Sequence, residues 1–269
     1  MRTRIERPTR SRPARPLATL VIALATLLSA TAASTAAAAT DARVVATALA
    51  AQDRPVADLQ RDPTSRPAAV LALADIEPGD VVVDLFAGGG YYSEILARIV
   101  GPTGRVYAHN NGAYTSFVGA VLDDRLADGR LANVVPLRTE IPDLQLPAHG
   151  IDLALMVLSW HDLYWVSDDW PAVDVDGFIA QLTAALAPDG RLLIVDHAAA
   201  AGAGIDAVDD LHRIDPAHVI ATLEAHGWRL EARSDVLANP DDDHTLSVFD
   251  PSIRRHTDRF VLRFAPPAA

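Results

Sequence analysis

Residues Val81 to Ala97, VVVDLFAGGGYYSEILA, constrain the fold more than any other stretch of the chain. β-Branched residues run into Asp84, three consecutive glycines follow, and an apolar-periodic helical pattern starts at once. The order is strand, tight turn, helix. Such a junction aims backbone N–H groups and the positive end of a helix at one spot, where a nucleotide-like ligand can sit. Glycine alone reaches φ > 0 without strain and lets a ligand come close to the main chain.

The rest of the chain reads as a framework for this turn. Arg66–Ala74 has a helical pattern and Glu77-Pro78-Gly79-Asp80 makes a turn. Strands are expected at Val81–Leu85, Arg105–His109, Val134–Leu137, Ile151–Leu158 and Arg191–Asp196. Helices are expected at Tyr91–Val100, near Thr115–Ala127 and at Asp176–Leu186. Short apolar runs separated by helical patterns describe a parallel sheet covered on both faces. After Asp196 the pattern changes. Asp215 as N-cap and Pro216 behind it open a helix that Gly227 stops. Trp228–Val236 and Arg259–Phe264 then read as two strands joined by a polar loop. The expected fold is α/β: a Rossmann-like, doubly wound, mostly parallel sheet ending in an antiparallel β-hairpin.

Composition narrows the chemistry. At 269 residues the chain can bury one large core or two small ones. All 23 basic residues are Arg, so Schiff-base and P-loop lysines are excluded. The absence of Cys excludes disulfides, thiolate nucleophiles and zinc–sulfur sites. The net charge is −12, and because the first sixteen residues hold six Arg against one Glu, the remainder carries −17. So acidic a surface repels nucleic acid and anionic membranes; a small molecule or a cationic partner fits it better.

Residues 1–40 read as a targeting segment. Arg2 to Arg15 form a basic region, Leu17 to Leu28 an apolar one, and Ala37-Ala38-Ala39 offers an A-x-A cleavage site. The strongly apolar part is shorter than the roughly 20 residues of a membrane span. Cleaved export to the periplasm or medium is expected, with an uncleaved membrane anchor as the alternative. Residues 41–65 read as a polar extension lying outside the core, and 66–266 as the main domain.

On these residues the chain resembles the class I S-adenosylmethionine-dependent methyltransferases over roughly residues 65–265. The element order matches that family's seven-stranded sheet. Asp84-Leu85-Phe86-Ala87-Gly88-Gly89-Gly90 looks like its D-x-G-x-G-x-G cofactor loop, and Leu186-Ala187-Pro188-Asp189-Gly190-Arg191-Leu192 like its L-x-P-G-G-x-L turn. SWHDLYW (159–165), the His212–Asp215 segment and the C-terminal strands resemble a group of bacterial methyltransferases that are often exported. The resemblance implies S-adenosylmethionine as cofactor, held by Asp84, Phe86, Ala87, Gly88, Gly89 and Gly90, with Ser159 alongside. Phe86 stands where the family has its first glycine. Asn110 falls where the family places an acid against the ribose, and an amide lacks that charge.

Methyl transfer is an in-line displacement, in which the enzyme holds acceptor and methyl carbon about 3–3.5 Å apart and supplies a base if the acceptor carries a proton. Open α/β sheets present such groups beyond the carboxyl ends of their strands. There lie Ser159, Trp160, His161 and Asp162, with His197 after the fifth strand. His161, Asp162 and His212 are the candidate catalytic residues; Trp160, Tyr164, His197 and Arg213 are expected to meet the substrate. Arg213 otherwise pairs with Asp209 or Asp210. The histidine spacing matches no HExxH or facial-triad pattern, so no metal is expected. Asp241-Asp242-Asp243 reads as a solvated turn and Glu94 as an exposed helix residue.

The reading is methyl transfer from S-adenosylmethionine to a small-molecule acceptor. Against it stands a non-catalytic Rossmann-like ligand-binding protein of the cell envelope. A nicotinamide oxidoreductase is disfavoured by Ser93 in place of a third spaced glycine. An exported protein binding a cationic partner is the remaining alternative. Acceptor atom and oligomeric state are not encoded in any motif.

Overall fold

The computed structural model describes residues 40–268. The leader and its cleavage site lie outside the described residues, apart from Thr40. Three helices come first: α1 (Ala42–Leu49), α2 (Val56–Ser65) and α3 (Pro67–Leu71). Asp41 caps α1 by accepting the Arg43 N–H. The chain then alternates: β1 (Val81–Leu85), α4 (Tyr91–Val100), β2 (Arg105–Asn110), α5 (Gly112–Val118), α6 (Val121–Leu126), β3 (Val134–Arg138), β4 (Ile151–Val157), α7 (Val175–Ala185) and β5 (Leu186–His197). It closes with α8 (Val208–Leu211), α9 (Pro216–Ala225), β6 (Arg229–Ser234) and β7 (Arg259–Ala265).

The seven strands form one sheet in the order β3-β2-β1-β4-β5-β7-β6. The first five run parallel, and β7 pairs antiparallel with both β5 and β6. Side chains alternate faces along each strand. Val83, Leu85, Met156 and Ile194 pack into one core with Phe178 of α7, while Val82, Leu155, Leu193 and Val195 pack into the other with Ile95 and Leu96 of α4. The order reverses between β1 and β4, and the crevice at their carboxyl ends is where such sheets bind ligands.

The structure departs from the sequence reading in three places. The helix expected near 115–127 is two short ones, because Gly119 (φ 58) enters the left-handed region and ends α5. β5 begins at Leu186, with a register break opposite Ile151 that absorbs Pro188-Asp189-Gly190. The polar extension is not outside the core: Val45 and Ala48 are buried against the α4 side of the sheet. Among the described residues no helix is long and apolar enough to cross a membrane.

Candidate active site

The glycine turn after β1 is built as the sequence suggests but faces protein. Asp84 is buried at the strand end, and the Ser93 hydroxyl donates to it at 2.6 Å. Burial lifts its carboxyl to about 6. Phe86 sits at φ 51, a strained conformation for a bulky residue, and its ring packs among His109, Tyr114, Trp170 and Phe178. The turn's own groups are largely satisfied internally. The Ala87 N–H donates to the His109 carbonyl, and the Gly90 N–H to the Ala87 carbonyl.

Asn110 does not present its amide to a ribose. Its Oδ1 accepts the Gly88 N–H at 2.9 Å and its Nδ2 donates to the Gly88 carbonyl at 3.0 Å. Helix α6 lies on the turn: a Cβ at Gly89 would fall 2.7 Å from Val121, and one at Gly90 would fall 2.8 Å from Leu122. Arg125 donates from Nε to the Gly89 carbonyl at 2.6 Å. The missing Cβ atoms admit a helix, so in this arrangement the turn is not an open adenosyl cradle. Glu94, expected on the surface, is buried where Arg98, Arg125 and Arg130 converge on it.

The open space lies next to this turn. A cavity of about 1000 Å³ is bounded by α5 on one side and by the segments after β4 and β5 on the other. Tyr114, Phe117, Trp165, Trp170 and Phe249 give it aromatic walls, and His161, Asp162, His197 and His212 a polar end. Trp170 also borders a smaller cavity of about 170 Å³ with Asn111, Glu140, Ile141 and Phe178. A third, of about 190 Å³, shares Leu158, His197, Val248 and Phe249 with the large one and is lined by Arg61, Arg254, Arg255 and Arg259. Among the described residues Arg61 and Arg259 form no salt bridge, so this corner of an acidic protein is positive.

His161, Asp162 and His212 meet at the polar end. The short 3₁₀ turn His161–Leu163 follows Leu158, which is strained at φ 59, and carries both His161 and Asp162. Asp196 on β5 fixes His161 twice: Oδ2 accepts its backbone N–H at 2.8 Å and Oδ1 accepts Nδ1–H at 2.8 Å. That leaves Nε2 facing Asp162 Oδ1 at 3.3 Å. The Tyr114 hydroxyl donates to the other carboxylate oxygen, Oδ2, at 2.6 Å. His212, at φ 53 after α8, brings Nδ1 to 3.9 Å from Asp162 Oδ1 and rests its ring on Phe249 and Trp165.

Electrostatics separate the two histidines. Burial pulls His161 down, but the charge and hydrogen bond of Asp196 outweigh it and raise the group to about 9. Burial and then the charge of His161 hold His212 below its usual value, so it is neutral at pH 7. Burial lowers His197 to about 3, and its Nδ1 lies 2.7 Å from the Thr257 hydroxyl.

Four expected contacts fall elsewhere. Trp160 is fully buried against Phe178 in the core, after Leu158 (φ 59) has turned the chain off the line of β4. Ser159 is fully buried and lines neither the large cavity nor the smaller one beside Trp170. Tyr164 packs on His218 of α9, and Trp165 lines the cavity in its place. Arg213 is buried in a bidentate pair with Asp242 at 2.8 and 3.1 Å, so Asp242 is no solvated turn residue and neither Asp209 nor Asp210 is the partner. Asp215 caps α9 as expected, accepting the Ala217 N–H. Asp196 and Tyr114 escaped sequence reasoning; an acid ending the apolar run Leu192–Val195 was the available signal for the first.

No protein-family model matches the chain. The protein-L-isoaspartate O-methyltransferase of Aeropyrum pernix is 44% identical over 63 residues, which cover 22% of this chain and 24% of that protein. The ubiquinone/menaquinone biosynthesis C-methyltransferase of Saccharophagus degradans is 27% identical over 184 residues, covering 67% of this chain and 69% of that one. A crystal structure of an S-adenosylmethionine-dependent methyltransferase from Aquifex aeolicus superposes with a TM-score of 0.52 at 19% identity, over 83% of this chain and 97% of that one. The chain therefore has the class I methyltransferase fold and sequence similarity to enzymes of that group, whose cofactor is S-adenosylmethionine.

Proposed function

From a chain with the fold and sequence likeness of the class I methyltransferases, we propose S-adenosylmethionine-dependent methylation of a small acceptor held in the large cavity. The observation that carries this reading is the convergence of His161, Asp162 and His212 at one end of an aromatic-walled space beyond β4 and β5. The walls suit a flat, apolar body. His212, neutral and partly open to the cavity, is the group able to take a proton from the acceptor's nucleophilic atom. His161, held charged by Asp196 with Nε2 facing Asp162, sets a positive charge at this end of the cavity that favours an acceptor atom becoming negative. Arg61 and Arg259 suit an anionic group on the same ligand. We extend the proposal to location: the basic and apolar leader directs export, or anchors the chain if it stays uncleaved.

The test is binding followed by turnover. Titrating S-adenosylmethionine calorimetrically into the protein should give saturable binding, and a panel of aromatic hydroxyl and carboxylate acceptors should show label transfer from the methyl group. No binding at millimolar cofactor overturns the reading. The closed glycine turn favours one second reading, a ligand-binding protein of the cell envelope that keeps the fold without transfer. Binding of acceptors with no transfer on any of them would select it.

A further inference from the structure

We propose that His161 Nε2, Asp162 Oδ1 and His212 bind a first-row divalent transition-metal ion at the floor of the large cavity. One ligand atom from each residue lies within 4.8 Å of the other two, and two of the separations are 3.3 and 3.9 Å. Around an ion with bonds of about 2.0–2.2 Å, tetrahedral neighbours stand roughly 3.3–3.5 Å apart. The His161–Asp162 pair already has that spacing. His212 needs to close in by about an ångström, and it sits on a loop position after α8 with an aromatic ring on either side.

What distinguishes this cluster from a chance meeting of polar groups is the support behind it. Metal-bound imidazoles donate their far N–H to a carboxylate, which fixes the tautomer and aims the lone pair. Asp196 does this to His161, and is itself fixed by the backbone N–H groups of His161 and His197. The ligating carboxylate in such sites is also hydrogen-bonded at its free oxygen, as the Tyr114 hydroxyl does for Asp162. Two imidazoles with one carboxylate select zinc, cobalt, iron or manganese over magnesium and calcium, which take oxygen shells.

Three protein ligands on one side leave coordination positions open toward the cavity. A small molecule with a hydroxyl or carboxylate oxygen would complete the shell, and a bound hydroxyl would be acidified by the ion. Binding the ion displaces the Nε2 proton of His161 and takes up the His212 lone pair, so in the loaded protein the ion stands in for both histidines in the roles proposed above. The ligand class rests on the methyl-transfer reading, and the ion site itself does not.

Cobalt(II) titrated into chelator-treated full-length protein should bind once per chain with a visible ligand-field band. His212→Ala should weaken binding at least tenfold, and Asp196→Asn about 10- to 100-fold by freeing the His161 ring. His256→Ala, at an exposed histidine, should change nothing. Because Asp196 is buried, Asp162→Asn serves as a second ligand variant, and each protein's thermal melt is recorded alongside. Binding that is absent in the wild type, or equal in wild type and His212→Ala, overturns the ion site. Metal binding intact with no methyl transfer supports it and counts only against the function proposed above; methyl transfer in a protein that binds no cobalt counts only against the ion site.

Discussion

Asp84 ends β1 with its carboxyl buried and raised to about 6, so protonation favours the native state over the unfolded chain at mildly acidic pH. Between about pH 4 and 6 the unfolded chain gives up this proton first, and stability falls by about 3 kcal/mol as pH rises through that window. His109, lowered by burial to about 4, acts oppositely: its unfolded form takes a proton first as pH falls below about 6.5, so stability falls with falling pH. The two partly cancel in the wild type. Urea denaturation of Asp84→Asn should therefore expose the uncancelled histidine, with the variant gaining about 3 kcal/mol on the wild type from pH 4 to 7. A constant difference between the two proteins would show that Asp84 is ionised throughout. Arg213 makes a second residue-scale case. Arg213→Ala leaves Asp242 charged and unpaired in the interior, and should cost about 3–5 kcal/mol. The charge-neutral double variant Arg213→Met with Asp242→Leu should recover only part of that loss in the same denaturation assay, because it also takes their partners from the Ala198 and Leu246 carbonyls and the His244 and Asp258 N–H groups.

At the scale of elements, strand and helix positions were legible because period-2 and period-3.6 apolar patterns survive any tertiary arrangement. The run Val81–Leu85 and the capped α9 lie where their patterns put them. What sequence could not convey is which neighbour each side chain meets. The triple glycine reads identically whether its missing Cβ atoms make room for a ligand or for α6, and here they make room for Val121, Leu122 and Arg125. Likewise Asp242 lies twenty-nine residues from Arg213, a pairing no local rule supplies. His161 was legible as a candidate because it follows the carboxyl end of a strand, and His212 because it precedes a helix that could close over the site, yet their convergence on Asp162 depends on two left-handed residues, Leu158 and His212 itself. The two meanings of the turn separate experimentally through Gly90→Ala. Gly90 sits at φ 79 with Leu122 too near for a methyl group, so the variant should lose about 2–4 kcal/mol of stability without any ligand present. A turn kept open for a ligand alone would instead show an unchanged melting temperature and a loss confined to cofactor affinity.

For the whole molecule, residues 41–65 decide how much chain the fold requires. Read as sequence they are a polar preface; in the structure they complete a charged interior. Asp58 of α2 pairs with Arg125, which also reaches Glu94 of α4, and Arg54 is buried against Asp62. Asp62 in turn accepts the Tyr91 hydroxyl at 2.7 Å, beside the glycine turn. Val45 and Ala48 cover the apolar side of α4. Removing this segment exposes that surface and strips Arg125 of one of its two carboxylates, while Glu94 keeps Arg98 and Arg130. A buried cation losing a partner costs several kcal/mol, on the order of half the total stability of an ordinary domain. A chain starting at Arg66 should therefore express poorly or melt far below one starting at Thr40, with lost near-ultraviolet circular dichroism. The charge alone does not account for this outcome, since the double variant Asp58→Asn with Arg125→Met, which empties the pair without exposing α4, should remain folded and lose only part of that stability. Equal melting of the chains starting at 40 and 66 would show that the sheet and its later helices fold without the segment that precedes them.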